Sequence, residues 1–220
     1  MTEAEREAFI LSQTAPAAAP LVPELTLRLA TALTPIWQAT EESLARANVE
    51  PPYWAFAWPG GQALARHVLD HPALVRGRTV LDFAAGCGIA AIAAARAGAS
   101  RVVAAELDPL AATVARLNAA ANGVTIETLA DDLTTRPPSG WEVILAGDVC
   151  YDSRMTARVI PWLRTAAGLG ALVLLADPGR AYLPREGLET LAAHDVAVTR
   201  ELEDRDIRTT TIYRLHPAGG

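Results

Sequence analysis

A glycine-rich turn followed by an acidic residue is the stretch of this sequence best suited to bind a ligand. Residues 82–91, DFAAGCGIAA, place Gly86 and Gly88 between a β-branched run and an Ala-rich run. Glycine lets the backbone turn sharply and approach a ligand, and a helix that follows presents unpaired N–H groups. Gly86 begins a G-x-G-x-x-A pattern, and Glu106 lies twenty positions after it, where a carboxylate accepts hydrogen bonds from ribose hydroxyls. The pattern predicts a site for a nucleotide-like cofactor.

Asp82 indicates which cofactor of that kind fits. It adds an acid at the end of the first predicted strand, four residues before Gly86. A carboxylate there suits a cofactor that carries an amino acid and a positive charge, and is poorly placed beside a pyrophosphate. A dehydrogenase would also need a second nucleotide-binding half for the nicotinamide, whereas the end of the chain is predicted to form an antiparallel pair of strands. S-adenosylmethionine is therefore the expected cofactor, with an NAD-dependent dehydrogenase and a ligand-free turn as the weaker alternatives.

The elements that must position these residues alternate in type. Strands are predicted at 79–83, 101–106, 124–130, 141–147 and 171–176, and helices near 62–74, 88–97, 109–121, 153–166 and 184–193. Such alternation is typical of right-handed βαβ units in a parallel sheet. The runs at 195–202 and 208–215 are separated by only a few polar residues, which predicts an antiparallel hairpin because a parallel crossover needs a longer connection.

The first fifty residues differ from the remainder of the chain. Apolar residues recur at helical spacing over residues 24–49, with Pro35 expected to kink or divide the helix. The run APAAAP, residues 15–20, is expected to be a hinge. We therefore predict a helical extension over residues 1–50, where substrate recognition could lie, and a catalytic domain over residues 51–220.

Composition and charge limit the classes of function. With 220 residues, 51% of them hydrophobic, the chain fits one α/β domain with an extension. A net charge of -6 argues against broad attraction to nucleic acid or to an anionic membrane. The acidic N-terminus fits neither a secretory signal nor a transit peptide, and no apolar run is long enough to span a bilayer. Cys87 and Cys150 form no CxxC pair, and the histidines show no metal-ligand spacing. We expect a cytoplasmic enzyme without a metal, a nucleic-acid partner or a membrane partner.

The run from Thr79 to Gly147 resembles a class I methyltransferase, whose seven-stranded sheet ends in an antiparallel hairpin. The resemblance implies an α/β, Rossmann-like fold and S-adenosylmethionine as the cofactor. Ala84 stands where the first cofactor motif usually has a glycine, and the two acids after the third strand lie where adenine is held. The cofactor-binding residues implied by the resemblance are Trp58, Asp82, Ala84, Gly86, Gly88, Glu106, Asp131, Asp132 and Gly147.

Three further stretches resemble a narrower family. Residues 51–72, residues 147–152 (GDVCYD) and residues 176–180 (ADPGR) are similar to the protein-lysine methyltransferases that modify the β subunit of electron transfer flavoprotein. That resemblance implies methyl transfer to a lysine of that protein partner, with Asp148 and Tyr151 as the catalytic residues. A ribosomal protein L11 methyltransferase is a related alternative, although its post-strand motif differs from DVCY and its extra N-terminal domain has little room here. A methyltransferase-like domain without turnover also stays open.

The expected roles follow from the chemistry of lysine. Free lysine has a pKa near 10.4, so forming the neutral amine at pH 7 costs about 4.6 kcal/mol. A carboxylate stabilises the ammonium, so Asp148 is expected to bind and orient the lysine rather than act as a strong general base, while Tyr151 adds a hydroxyl and an aromatic wall. The resemblance implies that Trp58 covers the cofactor, and the glycines at 60 and 61 allow close passage before the next helix. The residues expected to contact the substrate are Trp54, Asp177 and Arg180.

Overall fold

The computed structural model describes residues 1–30, 52–198 and 205–219. In chain order the elements are α1 (Glu3–Gln13), β1 (Ala15–Ala19), β2 (Val22–Leu29), α2 (Pro59–Asp70), β3 (Thr79–Phe83), α3 (Ile89–Arg96), β4 (Arg101–Glu106), α4 (Pro109–Ala121), β5 (Glu127–Ala130), β6 (Val143–Gly147), α5 (Ser153–Gly168), β7 (Leu172–Asp177), β8 (Leu188–Ala197) and β9 (Ile207–Leu215). Short 3-10 helices occupy Tyr53–Ala55, Pro72–Leu74 and Leu133–Thr135.

A seven-stranded sheet organises the molecule, in the order β5-β4-β3-β6-β7-β9-β8. The first five strands in this order, β5, β4, β3, β6 and β7, are parallel to one another, and β9 runs antiparallel to both β7 and β8. The strand order reverses at β3, and ligands of open α/β sheets bind outside the carboxyl ends of the strands at such a switch point. The predicted α/β fold, with its parallel sheet and C-terminal hairpin, is confirmed.

The sheet is covered on both faces, which explains why its central strands are continuous apolar runs. On one face Leu145 of β6 packs in a cluster with Leu64 of α2 and Ile92 of α3, all fully buried. On the other face Ile144 of β6 packs in a cluster with Leu163 of α5. Each such buried side chain contributes about 1.5–3 kcal/mol relative to exposure. The two clusters hold the carboxyl ends of β3 and β6 in fixed positions.

The N-terminal segment is only partly helical. Residues 22–29 form β2, which pairs antiparallel with β1, so the helix predicted from residue 24 is wrong as far as residue 29, and the predicted hinge at 15–20 is largely the strand β1. Leu25 and Leu27 are buried while Thr26 is exposed, a period of two that identifies a strand. Residues 31–49, with the predicted proline kink, lie outside the described residues, and the boundary at residue 50 stays a prediction.

The N-terminal hairpin is attached to α4 by two asparagines. The amide of Thr26 donates to Asn122 over 3.0 Å, and the amide of Arg28 donates to Asn118 over 2.7 Å. In front of the hairpin, a capping box between Thr2 and Glu5 begins α1. The sequence analysis gave no bounds for this helix within the helical extension that it predicted over residues 1–50. The described part of the extension therefore packs against the main domain through α4.

The helix predicted near residues 184–193 is also wrong. Residues 188–197 form β8, which pairs with β9 from Leu188 opposite Leu215 to Ala197 opposite Ile207. Local helix propensity is a weak preference, and a ladder of cross-strand hydrogen bonds overrides it here. The end of the predicted strand at 195–202, and the turn that follows, include residues 199–204, which are not described.

Among the described residues no helix is both long and apolar enough to cross a membrane. The same part of the chain brings no three His, Cys, Asp or Glu side chains into positions that could hold a metal ion.

Candidate active site

The loop between β3 and α3 has a backbone that is built for close approach. Ala84, Gly86 and Gly88 all have left-handed φ values, of 54°, 53° and 78°. For alanine this conformation costs about 1 kcal/mol or more. A Cβ on Gly88 would lie 2.8 Å from the Cβ of Ala115, whereas a Cβ on Gly86 would meet nothing within 4 Å. Gly88 therefore lets the loop pack on α4, while Gly86 leaves the backbone open to a ligand.

A buried acid, Asp82, and a half-buried acid, Glu106, hold this loop. Oε1 of Glu106 accepts from the amide of Gly86 over 2.7 Å, and Oε2 accepts from the amide of Leu107 over 3.0 Å. Oδ2 of Asp82 accepts from the amide of Ala91, in the first turn of α3, over 2.8 Å. Burial raises the pKa of Glu106. Burial, reinforced by the charge of Glu106, raises the pKa of Asp82 to about 7. The two acids thus form a region in which a positively charged ligand is favoured.

The two acids after β5 have different surroundings. The amide of Asp131 donates to the carbonyl of Glu106 over 2.9 Å, which joins the loops after β4 and β5. Asp132 caps a short 3-10 helix by accepting from the amide and hydroxyl of Thr134, and it also pairs with Arg158. Hydrogen bonds from Thr134, followed by the charge of Arg158, lower the pKa of Asp132. Asp131 also pairs with an arginine, Arg136, and keeps half of its side chain exposed. Both predicted adenine-binding acids thus have a cationic partner, and Asp131 is the more exposed of the two.

Asp148 follows β6 in a strained and tightly held conformation. Its φ is 56°, a left-handed value that only it and Ala84 share among the described non-glycine residues. Its amide donates to the carbonyl of Ala176 over 3.0 Å, and its Oδ2 accepts from the amide of Gly60 over 2.6 Å. Nη2 of Arg180 lies 3.6 Å from the other carboxylate oxygen, Oδ1. The strain is thus offset by contacts from the start of α2 and the end of β7.

Gly60 is the residue that makes this arrangement possible. A Cβ there would lie 2.5 Å from Oδ2 of Asp148, 2.7 Å from the Asp148 amide nitrogen and 2.8 Å from the carbonyl oxygen of Ala176. Gly147 has a matching role, because its Cβ would lie 2.8 Å from the amide nitrogen of Gly61. The sequence analysis expected close passage at the paired glycines, but missed that the Gly60 amide holds Asp148.

Three aromatic rings join the segment before Gly60 to the segment after Asp148. The rings of Tyr151 and Tyr53 have centroids 5.6 Å apart, and those of Tyr53 and Trp58 are 5.8 Å apart. Nε1 of Trp58 donates to the carbonyl of Tyr53 over 2.8 Å. Tyr53 is exposed and joins the two predicted site residues, Tyr151 and Trp58, although the sequence analysis gave it no role. The sequence signal that could have identified Tyr53 as a site residue is its position in PPYWAFAW, which contains four aromatic residues.

The three predicted substrate contacts occupy different surroundings. Trp54 is 2% exposed and belongs to a core cluster with Ile10 of α1 and Val114 of α4, a placement that favours packing. Asp177 is buried at the end of β7, where its Oδ1 accepts from the amides of Gly179 and Arg180 over 2.7 and 2.6 Å. That geometry is an Asx-type turn. Arg180 differs from the other two because its guanidinium forms an ion pair with Asp148.

Comparison with known proteins defines the class. A family model described as ribosomal protein L11 methyltransferase (PrmA) matches residues 63–147. The crystal structure of the ribosomal protein L11 methylase from Lactobacillus delbrueckii subsp. bulgaricus superimposes with a TM-score of 0.51 at 21% identity, covering 73% of this chain and 81% of that chain. Together with the parallel sheet whose strand order reverses at β3, these findings define a Rossmann-like class I methyltransferase fold.

Two relatives narrow the family. The electron transfer flavoprotein beta subunit lysine methyltransferase of Xenopus laevis is 38% identical over 215 residues, which cover 95% of this chain and 86% of that protein. The Homo sapiens protein of the same name is 34% identical over 206 residues, which cover 90% of this chain and 76% of that protein. The chain belongs to the electron transfer flavoprotein beta subunit lysine methyltransferase family.

Proposed function

We propose that this protein transfers methyl groups from S-adenosylmethionine to lysine of the β subunit of electron transfer flavoprotein. The observation that carries the proposal is the position of Asp148, held by the Gly60 amide at the carboxyl edge of the sheet, three residues before Tyr151, whose ring contacts that of Tyr53. The Asp148 side chain is only 12% exposed, so its charge acts in surroundings with little water. An acid of this kind, next to a cofactor loop, suits the capture of a lysine head group.

The residues of the loop after β3 fit S-adenosylmethionine. Gly86 leaves room for close approach of a ligand to the backbone. In this proposal Glu106 accepts hydrogen bonds from ribose hydroxyls, and Asp131 accepts from the adenine amino group. Asp82 supplies negative potential for the amino acid part and its positive charge. The bound cofactor supplies an electrophilic methyl group on a sulfonium.

Asp148 and the aromatic residues would bind and orient the lysine. Asp148 attracts the ammonium, which brings the side chain to the site before its proton is lost. The faces of Tyr53 and Tyr151 line the approach, and aromatic faces attract cations. Trp58 begins α2 and would cover the cofactor from the same side. The protein thus contributes positioning, while the attacking lone pair comes from the lysine nitrogen.

The L11-type alternative is less well supported by the site. The match to the L11 methyltransferase model ends at residue 147, immediately before Asp148 and Tyr151. It therefore spans the cofactor loop and its acids but not the two proposed catalytic residues. The similarity is what a shared cofactor domain would produce.

The two thiols fit a structural role. Cys87 and Cys150 are both free and buried. Burial raises the pKa of each thiol to about 12, which leaves both thiols protonated and inert at neutral pH. Free, packed thiols support the cytoplasmic location expected from the sequence, since such a compartment keeps them reduced.

Mass spectrometry of the flavoprotein β subunit, after incubation with the protein and S-adenosylmethionine, tests the proposal. We expect methyl groups on lysine in the complete reaction and none without the protein. Ribosomal protein L11, incubated in parallel, tests the alternative substrate. Cofactor binding without methylation of either protein would indicate a noncatalytic domain, and tight NAD binding in competition with S-adenosylmethionine would indicate a dehydrogenase.

Glu106→Ala is expected to weaken S-adenosylmethionine binding by tenfold or more. The substitution removes a charged acceptor of ribose hydrogen bonds, and such bonds contribute about 1.5–3 kcal/mol each. It also releases the Gly86 amide from its 2.7 Å hydrogen bond. Calorimetric titration measures the affinity, and Glu127→Ala, which removes an exposed acid paired with Arg101, is the matched control. An unchanged affinity in Glu106→Ala would remove this residue from the site.

Asp82 is expected to make cofactor affinity depend on pH. Its pKa of about 7 without ligand means that half of the molecules carry a neutral Asp82 at that pH. A positively charged ligand favours the ionised form, so binding releases a proton and the affinity falls as the pH drops below 7. We expect up to about tenfold weaker binding per unit of pH below this value.

Titrations at pH 6 and pH 8 on wild type and Asp82→Asn test this dependence. Asparagine can still accept from the Ala91 amide but cannot ionise. The variant should bind more weakly at pH 8 and lose most of the pH dependence, whereas the exposed-site control Asp70→Asn should keep it. The same slope in wild type and Asp82→Asn would contradict the assignment.

A further inference from the structure

Arg180 lies at the acid that the proposed mechanism uses for lysine. Its Nη2 is 3.6 Å from Oδ1 of Asp148, while Oδ2 of Asp148 accepts from the Gly60 amide over 2.6 Å. The side chains of the pair are 23% and 12% exposed, so water screens their attraction only partly. A permanent cation therefore shares the carboxylate that would receive the substrate ammonium.

The fold fixes where this cation lies. The amide of Arg180 donates to Oδ1 of Asp177 over 2.6 Å, and Asp177 is 1% exposed at the end of β7. The neighbouring strand β6 ends at Gly147, which pairs with Ala176. Because β6 and β7 end side by side, the turn after β7 brings Arg180 against Asp148. The backbone hydrogen bonds of this turn do not depend on the side chain at position 180.

A carboxylate by itself would hinder the reaction that it prepares. It stabilises the lysine ammonium, yet only the neutral amine has a lone pair with which to attack. A guanidinium stays protonated at all relevant pH values, and placed within the same site it opposes the charge of the ammonium. The Asp148 and Arg180 pair can thus orient a lysine without holding its proton.

We propose that Arg180 is a positioning residue whose guanidinium shares Asp148 with the substrate lysine and favours loss of the lysine proton to water. This inference rests on the proposed function and assigns Arg180 a role at the reacting lysine instead of on the surface of the protein substrate. The released proton leaves before the transfer. In the transfer itself the nitrogen lone pair forms the new N–C bond, and the electron pair of the S–C bond stays on sulfur.

The pH dependence of kcat tests the proposal, since kcat reports groups that titrate in the enzyme–substrate complex. With the flavoprotein β subunit as substrate, the rising limb of the Arg180→Gln profile should move by about one unit to higher pH, which is about a tenfold loss on that limb. At high pH the rate should recover. Arg180→Lys keeps the charge and should follow the wild type, as should Arg185→Gln, which makes the same charge change at an exposed position on the same loop.

Calorimetry gives a second measurement that needs no turnover. The β subunit is titrated into the protein near pH 8, with S-adenosylhomocysteine present, in two buffers of different ionisation enthalpy. The wild type should release a proton on binding, and Arg180→Gln should release a smaller fraction of one. This comparison remains valid where a variant turns over slowly.

Several outcomes would overturn the proposal. An equal loss of kcat at every pH would assign Arg180 a structural role, and a change in KM alone would assign it to docking of the substrate. If the pH profile of kcat shifted as far in Arg180→Lys as in Arg180→Gln, the charge at position 180 could not be the cause of the shift. This holds even if the glutamine variant is destabilised. Absence of methylation by the wild type at any pH would overturn the proposed function as well, whereas an active wild type with an unshifted Arg180→Gln profile would overturn this inference alone.

Discussion

Asp148→Asn is expected to lower the methylation rate at least tenfold while cofactor affinity stays near that of the wild type. A tenfold loss corresponds to about 1.4 kcal/mol of lost transition-state stabilisation. Asparagine has nearly the same volume, and its amide oxygen can still accept from the Gly60 amide. What it loses is the charge that attracts the lysine and pairs with Arg180.

The control for this variant lies four residues further along the same loop. Asp152 caps α5 by accepting from the amides of Arg154 and Met155, over 2.9 and 3.0 Å. Asparagine is an equally good N-cap residue, so Asp152→Asn should retain both stability and rate. Initial rate, melting temperature and cofactor affinity are measured on the same preparations. A well-folded Asp148→Asn protein with near-normal turnover would leave Asp148 with a purely structural role.

Gly60→Ala is expected to reduce the methylation rate at least tenfold and to lower the melting temperature. In a helix, alanine is normally favoured over glycine by about 1 kcal/mol. Here the added Cβ would lie within 2.8 Å of the carbonyl oxygen of Ala176 and closer still to two atoms of Asp148. Two of these three atoms belong to the backbone and cannot rotate away, so α2 or the loop after β6 must move. Overpacking of this kind costs about 1–3 kcal/mol.

Gly61→Ala is the matched control, at the next position of the same helix. Its Cβ would meet only Cγ2 of Ile89, at 3.1 Å, a side-chain atom that can shift by a few tenths of an ångström. Neither substitution changes the net charge, so the difference between the two variants reports the contacts of Gly60 with Asp148 and Ala176. Methylation assays and thermal melts of both variants check the expectation. Equal behaviour of the two would mean that the Gly60 amide does not position Asp148.

The parallel part of the sheet could be predicted because its physical cause lies in local sequence. Strands buried on both faces must be continuous apolar runs, and β3 and β4 were predicted with the bounds that they have, Thr79–Phe83 and Arg101–Glu106. The glycine turn after β3 and the position of Glu106 at the end of β4 also follow from local sequence: a left-handed backbone favours glycine, and the strand length sets the spacing to the acid.

The prediction failed where pairing between distant residues decides the conformation. The run LETLAAHDVA in β8 contains good helix-forming residues, yet it is a strand because β9 supplies a partner. In β1 and β2, alanine and leucine spacing suggested a hinge and a helix, but hydrogen bonds across the hairpin and to Asn118 and Asn122 of α4 set the extended conformation.

The fold class, the glycine turn after β3 and the presence of an acid after β6 follow from local sequence patterns. The way in which that acid is held depends on long-range packing. Asp148 contacts Gly60, which lies 88 residues earlier in the chain, and Arg180, which follows the neighbouring strand. No spacing rule relates these three positions, because their proximity depends on the order of strands in the sheet and on the packing of α2 against it. Trp54 shows the same limit, since burial against α1 and α4, which its residue type does not reveal, distinguishes a core tryptophan from one that lines a site.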